Sequence, residues 1–233
     1  MKNILILGSG NFGQLLEKLL GKQYRTTLMS VRTSTDEELS AAVSSTNVVV
    51  LAIPLKGYDA AISRIAPDLH PGATVMDVCS VKLRPQKLLH ELLPDHENWL
   101  ITHPLFGPQS ASAGTEGLQF IVCEESGDSA AELVSYFKEV LKLDIIRMSA
   151  DEHDKQMARA QALTFYISEA LSMMDVEEQE LMTPSYRKLL DVRNLVNHET
   201  QDLLDLFQNE NPYADTIRGS FLESTGKVRS KYS

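Results

Sequence analysis

The sequence predicts an α/β protein: a doubly wound, mainly parallel sheet followed by a small all-helical domain. Three observations carry that expectation. Short apolar runs alternate with helical spacing up to about residue 148, the pattern of a sheet covered by helices on both faces. The first run passes through a glycine triplet, Gly8-x-Gly10-x-x-Gly13, straight into a helix-spaced stretch. After Ser149 the strand signals stop and only helical spacing remains, which sets expected domains at 1–149 and 150–233.

Ile4, Leu5, Ile6 and Leu7 are apolar without alternation, as a strand buried on both faces requires. Gly8 permits a tight turn, Gly10 lets backbone approach a pyrophosphate, and Gly13 lets the helix over 14–20 pack closely on the strand. Phosphates then rest at a helix N-terminus, where N–H groups and the dipole favour anions. Strand, glycine turn and helix in this order form the dinucleotide-binding fingerprint of a Rossmann-type domain. Gly8, Ser9, Gly10, Asn11, Phe12 and Gly13 are therefore expected to hold a cofactor. A second strand over 24–30 ends in Ser30-Val31-Arg32-Thr33, with no acid before Asp36. NAD sites usually close this strand with an acid that accepts ribose hydroxyls, whereas small polar and basic residues suit a 2′-phosphate. Ser30, Arg32 and Thr33 thus predict NADP, with NAD as the alternative.

The next elements are a helix over 36–45, a strand over 47–53 ending at Pro54, a helix over 55–65 and a turn at Pro71-Gly72. A strand over 73–78 runs into Cys79-Ser80-Val81-Lys82, and a helix follows over 85–93. The strand over 98–102 leads into His103-Pro104; strands over 118–123 and 144–148 flank a helix over 129–141. Beyond Ser149, helices are expected over 150–174, 184–207 and 212–222. A helical remainder of about 80 residues is small for a free-standing core, so it is expected to pack on the sheet domain, on a second copy, or on both.

The formal net charge of -10 argues against nucleic acid or an anionic membrane as the main partner. Cys79 and Cys123 lie far apart without metal-ligand spacing, so the chain reads as reduced and cytoplasmic. The apolar start is too short for a signal peptide, and no run approaches membrane-spanning length. No His/Cys/Asp cluster has metal spacing, and no Gly-x-Ser-x-Gly elbow is present.

In an open α/β sheet, ligands gather outside the carboxyl ends of the strands. Four loops are expected there: the glycine loop, Ala52-Ile53-Pro54, Ser80-Val81-Lys82 and Thr102-His103-Pro104. Together they offer a base, a hydroxyl and a positive charge, a set that suits alcohol oxidation beside a nicotinamide. Plainer readings stand beside this one. His103 can close a rigid turn, Ser80 can cap the following helix, and Lys82 can be a solvated charge. His153, with Asp154, is expected to cap the first helix of the second domain. His70, His90, His96 and His198 read as surface or loop residues.

The segments 77–82 (Asp-Val-Cys-Ser-Val-Lys), 102–108 (Thr-His-Pro-Leu-Phe-Gly-Pro) and 149–154 (Ser-Ala-Asp-Glu-His-Asp), behind the glycine loop, resemble the prephenate/arogenate dehydrogenase family of tyrosine biosynthesis. Phe106-Gly107-Pro108 is most similar to the arogenate-type branch. The resemblance implies a Rossmann domain, a helical dimerisation domain, NAD or NADP as hydride acceptor, and oxidative decarboxylation of a cyclohexadienol. It implies that His103 hydrogen-bonds the ring hydroxyl and accepts its proton, and that Ser80 orients His103 near the nicotinamide. Where the family usually carries Gln-x-Leu-Thr-His, this chain reads Gln161-Ala162-Leu163-Thr164-Phe165. Gln161, Thr164 and Lys82 are candidate substrate contacts, and Arg187 and Arg193 candidate carboxylate binders. Phe165 favours two rivals, a related reductase of another small acid or imine and a nucleotide-sensing protein without turnover. Ser80 and His103 favour the enzyme.

Overall fold

Val48, Val49, Val50 and Leu51 are all fully buried, so this strand has apolar packing on both faces. That is the environment of a central parallel strand, and the computed structural model places it there. It describes residues 1–174 and 176–233, the side chain of His198 excepted. The strands are β1 (Asn3–Leu7), β2 (Arg25–Met29), β3 (Val48–Leu51), β4 (Thr74–Asp77), β5 (Trp99–Pro104), β6 (Gln119–Glu125) and β7 (Asp144–Arg147). Between them lie α1 (Asn11–Leu20), α2 (Asp36–Ser44), α3 (Tyr58–Ile65), α4 (Leu83–Leu92) and α5 (Asp128–Glu139). The sheet order is β2-β1-β3-β4-β5-β6-β7, parallel throughout except for the antiparallel β5–β6 pair. This is the doubly wound, Rossmann-like sheet that the alternation of elements predicts. The winding reverses between β1 and β3, which opens a crevice outside their carboxyl ends.

On one face, Leu16, Leu19 and Leu20 of α1 and Leu133, Val134 and Phe137 of α5 close over Ile4, Ile6, Val48 and Val50 in one cluster. Each such side chain stabilises by about 1.5–3 kcal/mol on full burial. The Tyr136 hydroxyl, which donates to the Leu19 carbonyl at 2.7 Å, ties α5 to α1.

One strand end differs from expectation. β5 does not stop at Thr102 but continues to Pro104, because β6 pairs with it as far as His103↔Ile121 and Pro104↔Phe120. The register slips between Ile101 (opposite Glu124) and Thr102 (opposite Val122). Such irregularities re-aim side chains at strand ends.

The chain divides into two compact units, Met1–Ala150 and Asp151–Ser233. Helix α6 (Ala150–Met157) continues through a π-helical turn, Ala158–Ala162, into α7 (Leu163–Met173). The stretch expected as one helix over 184–207 is instead α8 (Pro184–Asn194), a 3₁₀ turn (Leu195–His198), α9 (Gln201–Asp205) and a second π turn, Leu206–Glu210. Thr183 and Thr200 cap the two helices, each accepting a backbone N–H, and this restarts the chain at each point. The last helix, α10 (Ala214–Lys231), runs well past the expected end at 222. Gln208 Nε2 donates to the Ala162 carbonyl at 2.7 Å, so the two π turns are linked. Among the described residues, no helix is long and apolar enough to cross a membrane, and no His/Cys/Asp/Glu group is arranged to hold a metal ion.

Of the histidines read as surface residues, His96 is half-buried, edge-on to Trp99 at 4.8 Å, with Nε2 3.1 Å from the Asn98 carbonyl. Burial holds its pKa below the usual histidine value. A depressed folded-state value means that His96 contributes stability above the unfolded value of about 6.5, and that this is lost as pH falls through the folded value. Wild-type Tm is therefore expected to fall more steeply than that of His96→Gln when both are scanned by calorimetry from pH 7.5 to 5.

Candidate functional site

The glycine loop is shaped by contacts that exclude any side chain. Gly8 has φ +134°, and a Cβ there would lie 2.0 Å from the Ala52 carbonyl oxygen. A Cβ on Gly13 would lie 1.8 Å from the Gly8 carbonyl oxygen, so α1 packs directly on the turn. A Cβ on Gly10, by contrast, would meet nothing within 4 Å. The first two glycine roles are steric necessities within the protein, and Gly10 leaves open space at the N-terminus of α1.

Beside this loop lies a cavity of about 590 Å³. It gathers Gly8, Ser9 and Gly10 from the glycine loop, Ser30 and Arg32 from the end of β2, and Ala52, Ile53 and Pro54 from the end of β3. Five other expected cofactor contacts are not part of its lining. Asn11 and Thr33 are exposed, and Gly13 is buried under Gly8. Phe12 turns to the core, its ring 6.4 Å from Phe106, and Ser80 follows β4, the next strand beyond β3. The cavity adds Val31, Lys56, Gly57 and Ala60, which sequence reasoning missed. For Lys56 the available signal was its position just after Pro54, at the carboxyl end of β3. A dinucleotide fits these residues: a turn with no side chain at Gly10, a helix N-terminus, and Arg32 and Lys56 as local positive charge in an acidic chain.

At the ends of β4 and β5 the structure corrects the reading of Lys82. It is neither a substrate contact nor a solvated charge but is fully buried, its Nζ paired with the equally buried carboxylate of Asp77. Lys82 also donates to the Thr102 carbonyl, and the Thr102 hydroxyl donates to the Asp77 carbonyl at 2.7 Å. The second carboxylate oxygen of Asp77 accepts from the Tyr58 hydroxyl at 2.5 Å and from the Cys79 N–H at 3.1 Å. An apolar site favours such a pair only when the remaining polar atoms are satisfied, and here they are. Burial, then the neighbouring Asp77, pushes the Tyr58 hydroxyl well above the usual tyrosine range, so it stays a donor. The same two causes push the Cys79 thiol up to about 12, which leaves it protonated and unreactive. This network binds β4 to β5 at the edge where Ser80 and His103 emerge. Ser80 does not cap the following helix: the N-cap of α4 is Lys82, with no side-chain cap bond. Ser80 is half-buried, and His103, 5% exposed, occupies the next-to-last position of β5.

In the helical unit, Gln161 is half-buried within the first π turn, and the Thr164 hydroxyl donates to the Ala160 carbonyl at 2.9 Å. Phe165 is buried, edge-on to Phe207 at 5.7 Å, so the position that departs from the family pattern serves the core of this unit. Arg187 is exposed on α8. Arg193 donates to Asn194 Oδ1 at 3.0 Å, and its backbone carbonyl accepts from Ser168 at 2.9 Å. His153 and Asp154 do not cap a helix end as expected. Both are buried inside α6, with Nδ1 2.8 Å from Asp154 Oδ1.

The model of the family described as "Prephenate dehydrogenase, nucleotide-binding domain" matches residues 22–148, more than half of the chain. The chain is 29% identical over 87% of its length to "Arogenate dehydrogenase 1, chloroplastic" of Arabidopsis thaliana, covering 34% of that protein. It is 27% identical over 88% of its length to "Arogenate dehydrogenase 2, chloroplastic" of the same plant, covering 62%. It thus spans between about a third and three fifths of these relatives. Its fold is similar to that of prephenate dehydrogenase from A. aeolicus, solved with hydroxyphenyl propionate and NAD+, with a TM-score of 0.74, 18% identity, and 99% and 90% of the two chains covered. The matched segment begins after the glycine loop, so Gly8, Ser9 and Gly10 stand on their own geometry, while the rest of the cavity lining and the ends of β4 and β5 lie inside the match. With Asp77, Ser80 and His103 inside that segment, the chain belongs to the prephenate dehydrogenase family.

Proposed function

We propose that this chain is an NADP-dependent dehydrogenase that oxidatively decarboxylates arogenate or prephenate in tyrosine biosynthesis. The observation that carries this reading is the placement of His103, buried at the end of β5, at the same sheet edge as the cavity between β1 and β3, with Ser80 in the loop that follows the neighbouring strand β4. A bound nicotinamide supplies the hydride acceptor. His103 takes the proton from the ring hydroxyl, and Ser80 orients the imidazole. Loss of carbon dioxide then yields an aromatic ring, so the protein mainly positions the ring and removes one proton. The names of the two plant relatives support the substrate class. In the helical unit, Gln161, Thr164, Arg187 and Arg193 are the proposed substrate contacts. A homodimer through this unit is proposed because a helical remainder of about 80 residues is small for a free-standing core.

The test is a panel of arogenate and prephenate, each with NADP+ and NAD+, followed at the reduced-nicotinamide absorbance band. No signal with either substrate removes the reading. The choice of NADP rests on Arg32, exposed at the cavity rim, and on the absence of an acid at the end of β2. Arg32→Ala is expected to weaken NADP+ by about tenfold or more, the scale of a lost charge-assisted phosphate contact. NAD+ binding should stay nearly constant. Titration calorimetry with each cofactor decides it, and equal losses defeat the 2′-phosphate argument.

A further inference from the structure

Arg64 stands on the last turn of α3, at the opposite end of that helix from the cavity lining, yet its side chain is committed to the loop that carries Arg32. Its Nε is 2.7 Å from Asp36 Oδ1, Nη1 donates to the Val31 carbonyl, and Nη2 donates to the Ser34 carbonyl at 2.8 Å. All three acceptors belong to the segment between β2 and the first turn of α2, and Ser30, Val31 and Arg32 of that segment line the cavity. Across the cavity, Lys56, Gly57 and Ala60 lead into and begin α3. The helix that supplies one wall therefore also fastens the other. Independent contacts shape the same loop, since Thr33 and Ser34 turn back on the Ser30 carbonyl and a Thr35–Glu38 capping box starts α2.

Asp36 gives this fork a chemical meaning. It is the first acid after β2 and opens α2, outside the cavity lining but on the segment that carries Arg32, so its unpaired charge would add to the negative field around a 2′-phosphate bound there. Here Arg64 neutralises it. Asp36 is largely exposed, and an exposed ion pair contributes little to global stability, so the effect of Arg64 is local. A lysine cannot replace it, because only a guanidinium presents planar donors to a carboxylate and two carbonyls together.

We propose that Arg64 is a positioning residue for cofactor choice: it holds the loop so that Ser30 and Arg32 stay arrayed for a 2′-phosphate, and it keeps the Asp36 charge from opposing that phosphate. This rests on the NADP reading above. Calorimetric titration of the full chain with NADP+ and with NAD+, without substrate, tests it on wild type, Arg64→Met and Arg64→Lys. In Arg64→Met the Kd for NADP+ is expected to rise about tenfold and that for NAD+ to change by less than about twofold, since only the ordered phosphate subsite is lost. Arg64→Lys, which keeps the charge without the fork, should fall close to Arg64→Met, and it carries the comparison alone if Arg64→Met does not fold. Unchanged NADP+ affinity, or equal weakening of both cofactors, overturns the role of Arg64 while leaving the Arg32 argument intact. A wild-type chain that binds NAD+ as tightly as NADP+ overturns the NADP reading and this inference with it.

Discussion

His103→Asn is expected to lower kcat by about 10²–10⁴-fold, the usual contribution of a positioned general base, while the Kd for NADP+ stays at the wild-type value. Asparagine retains a polar group near the imidazole position but cannot accept a proton at neutral pH. The cofactor cavity gathers loops from β1, β2 and β3, and His103 is not part of its lining, so binding and turnover should separate cleanly. The fold is not expected to suffer. The backbone of His103 pairs with Ile121 of β6, and that pairing does not depend on the side chain. Turnover of arogenate or prephenate, followed beside calorimetric titration of NADP+, reads both quantities on one preparation. A variant that turns over like wild type removes His103 from the role of base. A variant that loses both turnover and cofactor affinity makes it a structural residue.

Much of the sheet was legible because its rules are local. Four consecutive apolar residues at Val48–Leu51 require burial on both faces, and the glycine spacing at residues 8, 10 and 13 follows from one turn and one helix start. Interactions between distant segments were not legible. Lys82 looks like any surface lysine until β4 and β5 are in register, and only then does the Thr102 carbonyl, twenty residues on, join Asp77 in holding its buried ammonium. Arg64 stands in the helix expected over 55–65, and nothing local shows that a loop about thirty residues earlier supplies its three acceptors. The extension of β5 through His103 depends on an antiparallel neighbour, which the apolar run at β6 does not distinguish from a parallel one. The two π turns face the same limit. Gln208 satisfies the Ala162 carbonyl from more than forty residues away, so a helix pattern read by period alone runs straight through the first and breaks off inside the second.

Lys82→Met is expected to destabilise the protein by about 3–5 kcal/mol, because it leaves the Asp77 carboxylate buried without its counter-charge. Urea unfolding followed by far-UV circular dichroism measures the loss. Tyr58→Phe removes one hydrogen bond to the same carboxylate and should cost about 1.5–3 kcal/mol. The double variant Asp77→Leu/Lys82→Met should recover much of the loss, since an apolar pair of similar volume tolerates a dry site. If Lys82→Met unfolds at the wild-type midpoint, the pair contributes nothing and the burial argument fails. The consequence for chemistry follows from sequence position. Ser80 lies between Asp77 and Lys82, and Thr102, which both donates to Asp77 and accepts from Lys82, immediately precedes His103. Loosening the pair therefore frees the segments that present both proposed catalytic groups, while the glycine loop keeps its own contacts with Ala52. At a temperature where the double variant remains folded, its turnover should fall below wild type while its NADP+ affinity holds. Such a split identifies the buried pair as the support of the β4 and β5 ends and not merely as a source of stability. Full turnover in the folded double variant shows instead that apolar packing alone suffices to hold Ser80 and His103 in place.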